Sequence, residues 1–398
     1  MTGIDVAAVR ADTPGCLDHA FLDSAGSSLP PVQVTAEVVG HLRREAEIGG
    51  YLAIGERWDD LERGYGIFAD LLDCDAEDVA FTDSATRSWL TLMDSVPLAG
   101  GDRVLIGQVE YAANAVALLR RAEETGATVQ TVPSDESGAL SVPALRDLLD
   151  ERVKLVSLVH VPSNGGLVNP VREVADAAHE AGALVLLDAC QSVGQLPVQV
   201  RELGVDLLSG TARKWLRGPR GTGFLVARRA IADRLRPRLV DHTGALWVAP
   251  DRYRLRTDAQ VHQLYEFDVA GRLGLLTAVE YALRLGIAEI AERVGMLATR
   301  ARDGLAALPG VRVRDLGRVR SGIVTFTVDG VAPADVRSAL HGRGVTVTVS
   351  PAASSLLDMT ARGMADGVVR ASPHYFSTED DVDRLTTEVD RIVRLAQA

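Results

Sequence analysis

Of the chain's 42 basic residues only Lys154 and Lys214 are lysines. A free lysine amine attacks a carbonyl to form an imine, so any such chemistry here falls to one of these two. Lys154 leads into an apolar run at its amino end. Lys214 instead follows one, inside Gly210-Thr211-Ala212-Arg213-Lys214-Trp215-Leu216-Arg217-Gly218-Pro219-Arg220-Gly221-Thr222-Gly223. Glycines let a bound group come close to the backbone, and Arg213, Arg217 and Arg220 depress the amine's pKa and offer contacts to a phosphate. A dinucleotide loop is the competing reading of Gly218 to Gly223, but these glycines precede an apolar run instead of following one and opening a helix.

Three other places collect chemistry. Asp188 comes directly after five apolar residues, and a buried acid needs a partner, such as a protonated ring nitrogen, or it takes up a proton. Asp83-Ser84-Ala85-Thr86 opens a helical run, where free backbone N–H groups at Ala85 and Thr86 and a positive dipole end suit a phosphate. Arg370 ends the run Val368-Val369, and an arginine there can grip a substrate carboxylate with two hydrogen bonds. Each also has an ordinary reading: a helix-capping Asp, a plain N-cap and a surface arginine.

These residues must be positioned by the segments between them. Apolar runs at 79–82, 103–107, 128–132, 155–161, 183–188, 207–209 and 223–226 alternate with helical-period stretches at 112–125, 142–150 and 171–181, two of which are closed by Gly126 and Gly182. This pattern predicts an α/β fold, a large doubly wound domain with a mostly parallel sheet. In such sheets ligands sit beyond the carboxyl ends of the strands, where Asp188 and Lys214 fall. Residues 236–260 are poorly periodic and read as a crossing. A long helical pattern over 269–308, strands at 322–328, 345–350 and 368–371, and helices at 334–341 and 378–395 then predict a smaller α+β C-terminal domain. The expected division is 1–265 and 266–398, with residues 1–30 reaching back to the active site.

Composition narrows the class. A net charge of -12 disfavours nucleic-acid binding, and no apolar run reaches the roughly 20 residues of a membrane span. The start carries acidic residues and no export-type apolar stretch, so a cytoplasmic protein is expected. Cys16, Cys74 and Cys190 are scattered and the eight histidines lack ligand spacing, which argues against both a disulfide framework and a metal site.

Together these segments resemble the class V aminotransferase family of fold-type-I pyridoxal-phosphate enzymes, which includes cysteine desulfurases, selenocysteine lyase, isopenicillin N epimerase and hercynylcysteine sulfoxide lyase. The resemblance covers essentially the whole chain, beginning with Phe21-Leu22-Asp23-Ser24-Ala25-Gly26. It implies pyridoxal 5'-phosphate bound through Lys214, with Tyr111 stacked on its ring. Asp188 then meets the ring nitrogen, Gln191 and Ser163 or Asn164 the ring oxygen, and Thr211 and Arg213 the phosphate. Arg370 would hold the carboxylate of an amino-acid substrate. It further implies a homodimer in which both subunits line each site, though Tyr265-Glu266-Phe267-Asp268-Val269 offers no clear threonine for the partner's phosphate.

Two departures from cysteine desulfurases matter. Tyr111 stands where those enzymes have a histidine, and no cysteine follows Cys190. Ser350-Pro351-Ala352-Ala353-Ser354-Ser355 occupies the region of their nucleophilic cysteine, so formation of a persulfide is not expected. Glu45-Ala46-Glu47-Ile48-Gly49-Gly50-Tyr51 and the segment from Arg213 to Gly221 are most similar to hercynylcysteine sulfoxide lyase. Carbon–sulfur β-elimination, giving pyruvate and ammonia, is therefore the expected reaction, with epimerase or aminotransferase as the alternative exits. Tyr51, the 350–355 loop and His374 are candidates for lining the substrate pocket.

Overall fold

The computed structural model describes residues 3–397. Seven strands form the large sheet: β1 (Val79–Thr82), β2 (Arg103–Gly107), β3 (Thr128–Val132), β4 (Val153–Val159), β5 (Leu184–Asp188), β6 (Leu207–Thr211) and β7 (Gly223–Ala227). Their spatial order is β3-β2-β4-β5-β6-β7-β1, and only β7 runs against its neighbours. The inner strands are mostly apolar because both faces are covered, while the edge strand β3, Thr128-Val129-Gln130-Thr131-Val132, is only partly buried. On β5, Leu184 and Leu186 pack to one side, while Val185 and Leu187 pack to the other, the alternation a pleated strand imposes. Trp89, Leu92 and Leu118 bring helices Ala85–Ser95 and Ala112–Thr125 to the first face. Phe68, Val174 and Leu275 bring Trp58–Leu72, Val171–Glu180 and Val269–Leu285 to the second.

The smaller unit has a four-stranded antiparallel sheet in the order Val311–Val313, Val324–Val328, Val368–Ala371, Thr348–Ser350. Helices Ile287–Ala306, Pro333–His341 and Glu379–Gln397 share its core through Leu297, Val336 and Leu385. The chain start is tied to this unit: Ala20–Phe21 pairs in parallel with Val345–Thr346, and Leu22 is in the same core. A further cluster, with Val161 and Trp215 from the large unit and Ile290, Ile323, Tyr375 and Phe376 from the small one, joins the two.

Several sequence expectations shift here. The pattern over 269–308 is two helices, broken at Gly286 with φ +85°. The first half carries Leu275, Leu276 and Val279 into the large core. Residues 345–350 are two short strands in different sheets. Residues 236–260 hold a hairpin, Ala245–Ala249 with Arg252–Leu255, which exposes Leu246, Trp247 and Tyr253. Among the described residues no helix is long and apolar enough to cross a membrane.

Candidate active site

Since six strands share one direction, their carboxyl ends lie along one edge, and antiparallel β7 brings its amino end, Gly223, to that same edge. A cleft of about 700 Å³ opens there, with Lys214, Asp188, Tyr111 and Thr211 in its lining. The loop after β6 that carries Lys214 is clamped on its far side. Trp215 is buried, its Nε1 donates to Gln191 Oε1 at 2.9 Å, and its carbonyl accepts from His374 Nε2 at 3.0 Å. Arg217 adopts φ +63°, a left-handed conformation that costs a non-glycine residue roughly 1 kcal/mol or more. Its guanidinium offsets this by donating to the Leu29 carbonyl at 2.8 Å and to Tyr375 Oη at 2.7 Å.

Among the described residues the Lys214 Nζ has no hydrogen-bond or ion-pair partner. Loss of solvent lowers its pKa; Cys190 and Asp188 oppose that, and the charges of Arg213 and Arg370 add to it. A larger fraction of free amine, the form that attacks an aldehyde, is the result. Asp188 ends β5 and is buried. Its Oδ2 accepts from Asn114 Nδ2 at 3.0 Å and its Oδ1 from the Cys190 N–H at 3.0 Å.

At the other end, Ser84 caps helix Ala85–Ser95 by accepting from the Arg87 N–H at 3.2 Å. The first N–H groups of a helix have no intrahelical acceptor, and here Ala85 and Thr86 line the cleft beside Thr211 and Arg213. Gly223 makes this possible: a Cβ there would sit 2.4 Å from the Ser84 carbonyl carbon and 2.6 Å from the Ala85 nitrogen. The donor set fits pyridoxal phosphate, with an amine for the aldehyde, a carboxylate for the ring nitrogen, and hydroxyl, amide and guanidinium donors for the phosphate. Trp89 also lines the cleft, and its buried Nε1 has no acceptor among the described residues.

Other expected residues stand differently. Arg370 is buried at the cleft's margin, where its Nη2 donates to Asp23 Oδ1 at 3.2 Å and its Nη1 to the Ser163 carbonyl at 3.1 Å. Its Nε has no partner among the described residues. Burial raises the pKa of Asp23, against the pull of Arg370. Ser163 lines the cleft, whereas Asn164 turns its amide away to Asp358 at 2.7 Å. Gln191 lines the cleft too, but its Nε2 donates to the Ala25 carbonyl at 3.0 Å while its Oε1 holds Trp215, so its amide is already engaged. Tyr51 is not in this cleft; it stands 84 % exposed on a separate groove with Trp58, His242 and Tyr265. His374 is buried among Trp215, Tyr375 and Phe376, which makes it a core residue. Sequence reasoning missed Asn114, the place of Cys190 in the cleft, and the pairing of Asp23 with Arg370. The only available signal for Asn114 was its spacing, one helical turn after Glu110.

A lysine amine placed between a carboxylate and a helix amino terminus, at the carboxyl edge of a sheet in this order, defines a fold-type-I pyridoxal-phosphate enzyme. The chain matches the family described as aminotransferase class-V over residues 20–385, and it belongs to that family. A probable cysteine desulfurase 2 of Mycobacterium leprae is 32 % identical, covering 98 % of this chain and 97 % of its own. A probable cysteine desulfurase of Methanothermobacter thermautotrophicus is 27 % identical over 96 % of this chain and 97 % of its own. The crystal structure of the cysteine desulfurase CsdA from Escherichia coli superposes with a TM-score of 0.90 at 25 % identity, covering 98 % of this chain and 99 % of that one.

Proposed function

We propose that the protein is a carbon–sulfur lyase that takes a cysteine S-conjugate, or its sulfoxide, and by β-elimination and hydrolysis yields pyruvate, ammonia and the free thiol or sulfenic acid. The observation that carries the reading is the placement of Lys214 Nζ, unpartnered and with lowered pKa, in one cleft with Asp188, while Arg370 stands close enough to act on its charge. Pyridoxal phosphate, when bound, supplies an electron sink for the α-carbon. Lys214 would anchor it, and its free Nζ would take the substrate's α-proton and deliver it to the departing sulfur. Asp188 would hold the proton of the ring nitrogen. Thr86, Thr211 and Arg213 would hold the phosphate, Tyr111 would cover the ring, and Arg370 would orient the substrate's carboxylate.

The thiols favour elimination over sulfur capture. Cys190 is the cysteine in the cleft, and burial, with Asp188 beside it, pushes its pKa well above the usual thiol value, so at neutral pH it is a poor nucleophile. The 350–355 region holds Ser355, whose hydroxyl donates to the Glu110 carbonyl at 3.2 Å. A panel of cysteine S-conjugates and sulfoxides, read for pyruvate and for protein-bound persulfide, tests this. Pyruvate without persulfide is expected; persulfide on Cys190, or a keto acid with the cofactor left as its amine, contradicts it.

We also infer that two copies pair through the face bearing Tyr51, Tyr265 and the hairpin with Trp247, all exposed in the single chain. Tyr51 would then serve the partner's site. Sedimentation velocity should give one species near twice 42.4 kDa; a monomer contradicts the inference. Unpaired Cys16, Cys74 and Cys190 suit a cytoplasmic setting, where thiols stay reduced.

A further inference from the structure

Glu110 follows β2 and is 4 % exposed, yet among the described residues the groups that act on it most, Asn114, Ser157, the Tyr111 N–H and Asp188, include no cation. An ionised carboxylate without a counter-charge at that depth is costly, and burial pushes its pKa up to about 7. A residue serving only to fill space gains nothing from a charge there. What Glu110 has instead is a set of donors. Its Oε1 accepts from the Tyr111 N–H and from Asn114 Nδ2, both at 2.9 Å, and its Oε2 accepts from Ser157 Oγ on β4 at 2.8 Å.

Asn114 is the link. The same Nδ2 that donates to Glu110 also donates to Asp188 Oδ2 at 3.0 Å, so one amide nitrogen bridges two carboxylates. An asparagine can present either its NH2 or its carbonyl to a neighbour, and a carbonyl turned toward Asp188 would repel it. Glu110 removes that choice, because only the NH2 can face both acids.

We propose that Glu110 is a positioning residue for Asp188: it holds Asn114 as a hydrogen-bond donor and so fixes the Asp188 carboxylate for the ring nitrogen of bound pyridoxal phosphate. The inference rests on the cofactor reading of the Lys214 cleft. It assigns a role to two residues that do not themselves touch the cofactor's reacting atoms.

The test compares Glu110→Gln, Glu110→Ala, Asn114→Ala and the double alanine variant for pyridoxal-phosphate affinity and for the pH midpoint of the bound cofactor's visible band. Thermal unfolding without cofactor reports folding. Both single alanine variants should weaken affinity about tenfold and lower the midpoint by roughly half a unit or more, since a loosely held Asp188 stabilises positive charge less. Glu110→Gln keeps an acceptor for Asn114 and should return affinity to within about threefold of wild type. The double variant should be no worse than either single one. Wild-type affinity and midpoint in Asn114→Ala, or fully additive losses in the double variant, overturn the proposal while leaving the cofactor reading intact. Should Glu110→Ala fail to fold, the Asn114→Ala and Glu110→Gln proteins still decide it. A wild-type protein with no visible band and no borohydride-reducible bond at Lys214 would overturn the cofactor reading itself, and this inference with it.

Discussion

At the scale of single residues, the site depends on how burial sets charge. The chain spends a carboxylate, Asp188, below an amine, Lys214, whose pKa is lowered chiefly by loss of solvent. The acid's value lies in matching a positive charge on the cofactor ring, so Asp188→Asn should keep the fold and lower turnover by about a hundredfold or more, measured as pyruvate release under saturating cofactor. Unchanged turnover would show that Asp188 is merely structural. The neighbouring Asn114 and Glu110 were not legible as a pair in the sequence, because their link to Asp188 spans 74 residues of chain and forms only when β2, β4 and β5 lie side by side. Lys214 was legible for the opposite reason: it is one of two lysines, and it follows a strand.

At the scale of elements, the phosphate end is made by a contact between β7 and the start of helix Ala85–Ser95. The backbones are so close that no side chain fits at position 223. Gly223→Ala must push the helix start away or bend β7, and should cost about 1–3 kcal/mol of stability with a matching loss of cofactor retention. Thermal unfolding and a retained-cofactor assay, each against wild type, check this; an alanine variant with both values unchanged contradicts the close packing. Most strand positions of the large sheet were readable because strands buried on both faces are mostly apolar. The hairpin at 245–255 escaped because Trp247 and Tyr253 are exposed in the chain, so no inward face sets a pattern. The break at Gly286 escaped because Ile287 and Ile290 resume the apolar spacing at once, and a glycine within a helical pattern does not by itself reveal its positive φ.

At the scale of the whole molecule, buried titratable groups set the response to acid. Burial lowers His160 and His262 to about 4 and moves His374 well below its usual value. The unfolded chain binds these protons near pH 6.5 and the folded one does not, so stability falls as pH drops through that window. Glu110 acts in the opposite sense, since its folded pKa of about 7 lies above the unfolded value and folding gains a proton as pH falls toward 4.5. His160 and His262 each cost about 2 kcal/mol between pH 7 and pH 5 and Glu110 returns about 2, a net loss of roughly 2 kcal/mol, to which His374 adds in the same direction. Denaturant unfolding at pH 7 and pH 5 should show that loss, and a protein more stable at pH 5 contradicts it. All of this surrounds one covalent claim, that Lys214 carries the cofactor. Borohydride reduction of the pyridoxal-phosphate-loaded protein, followed by peptide mass spectrometry, should place a single reduced adduct on Lys214 and none on Lys154. An adduct elsewhere, or no adduct from protein saturated with cofactor, would contradict the account.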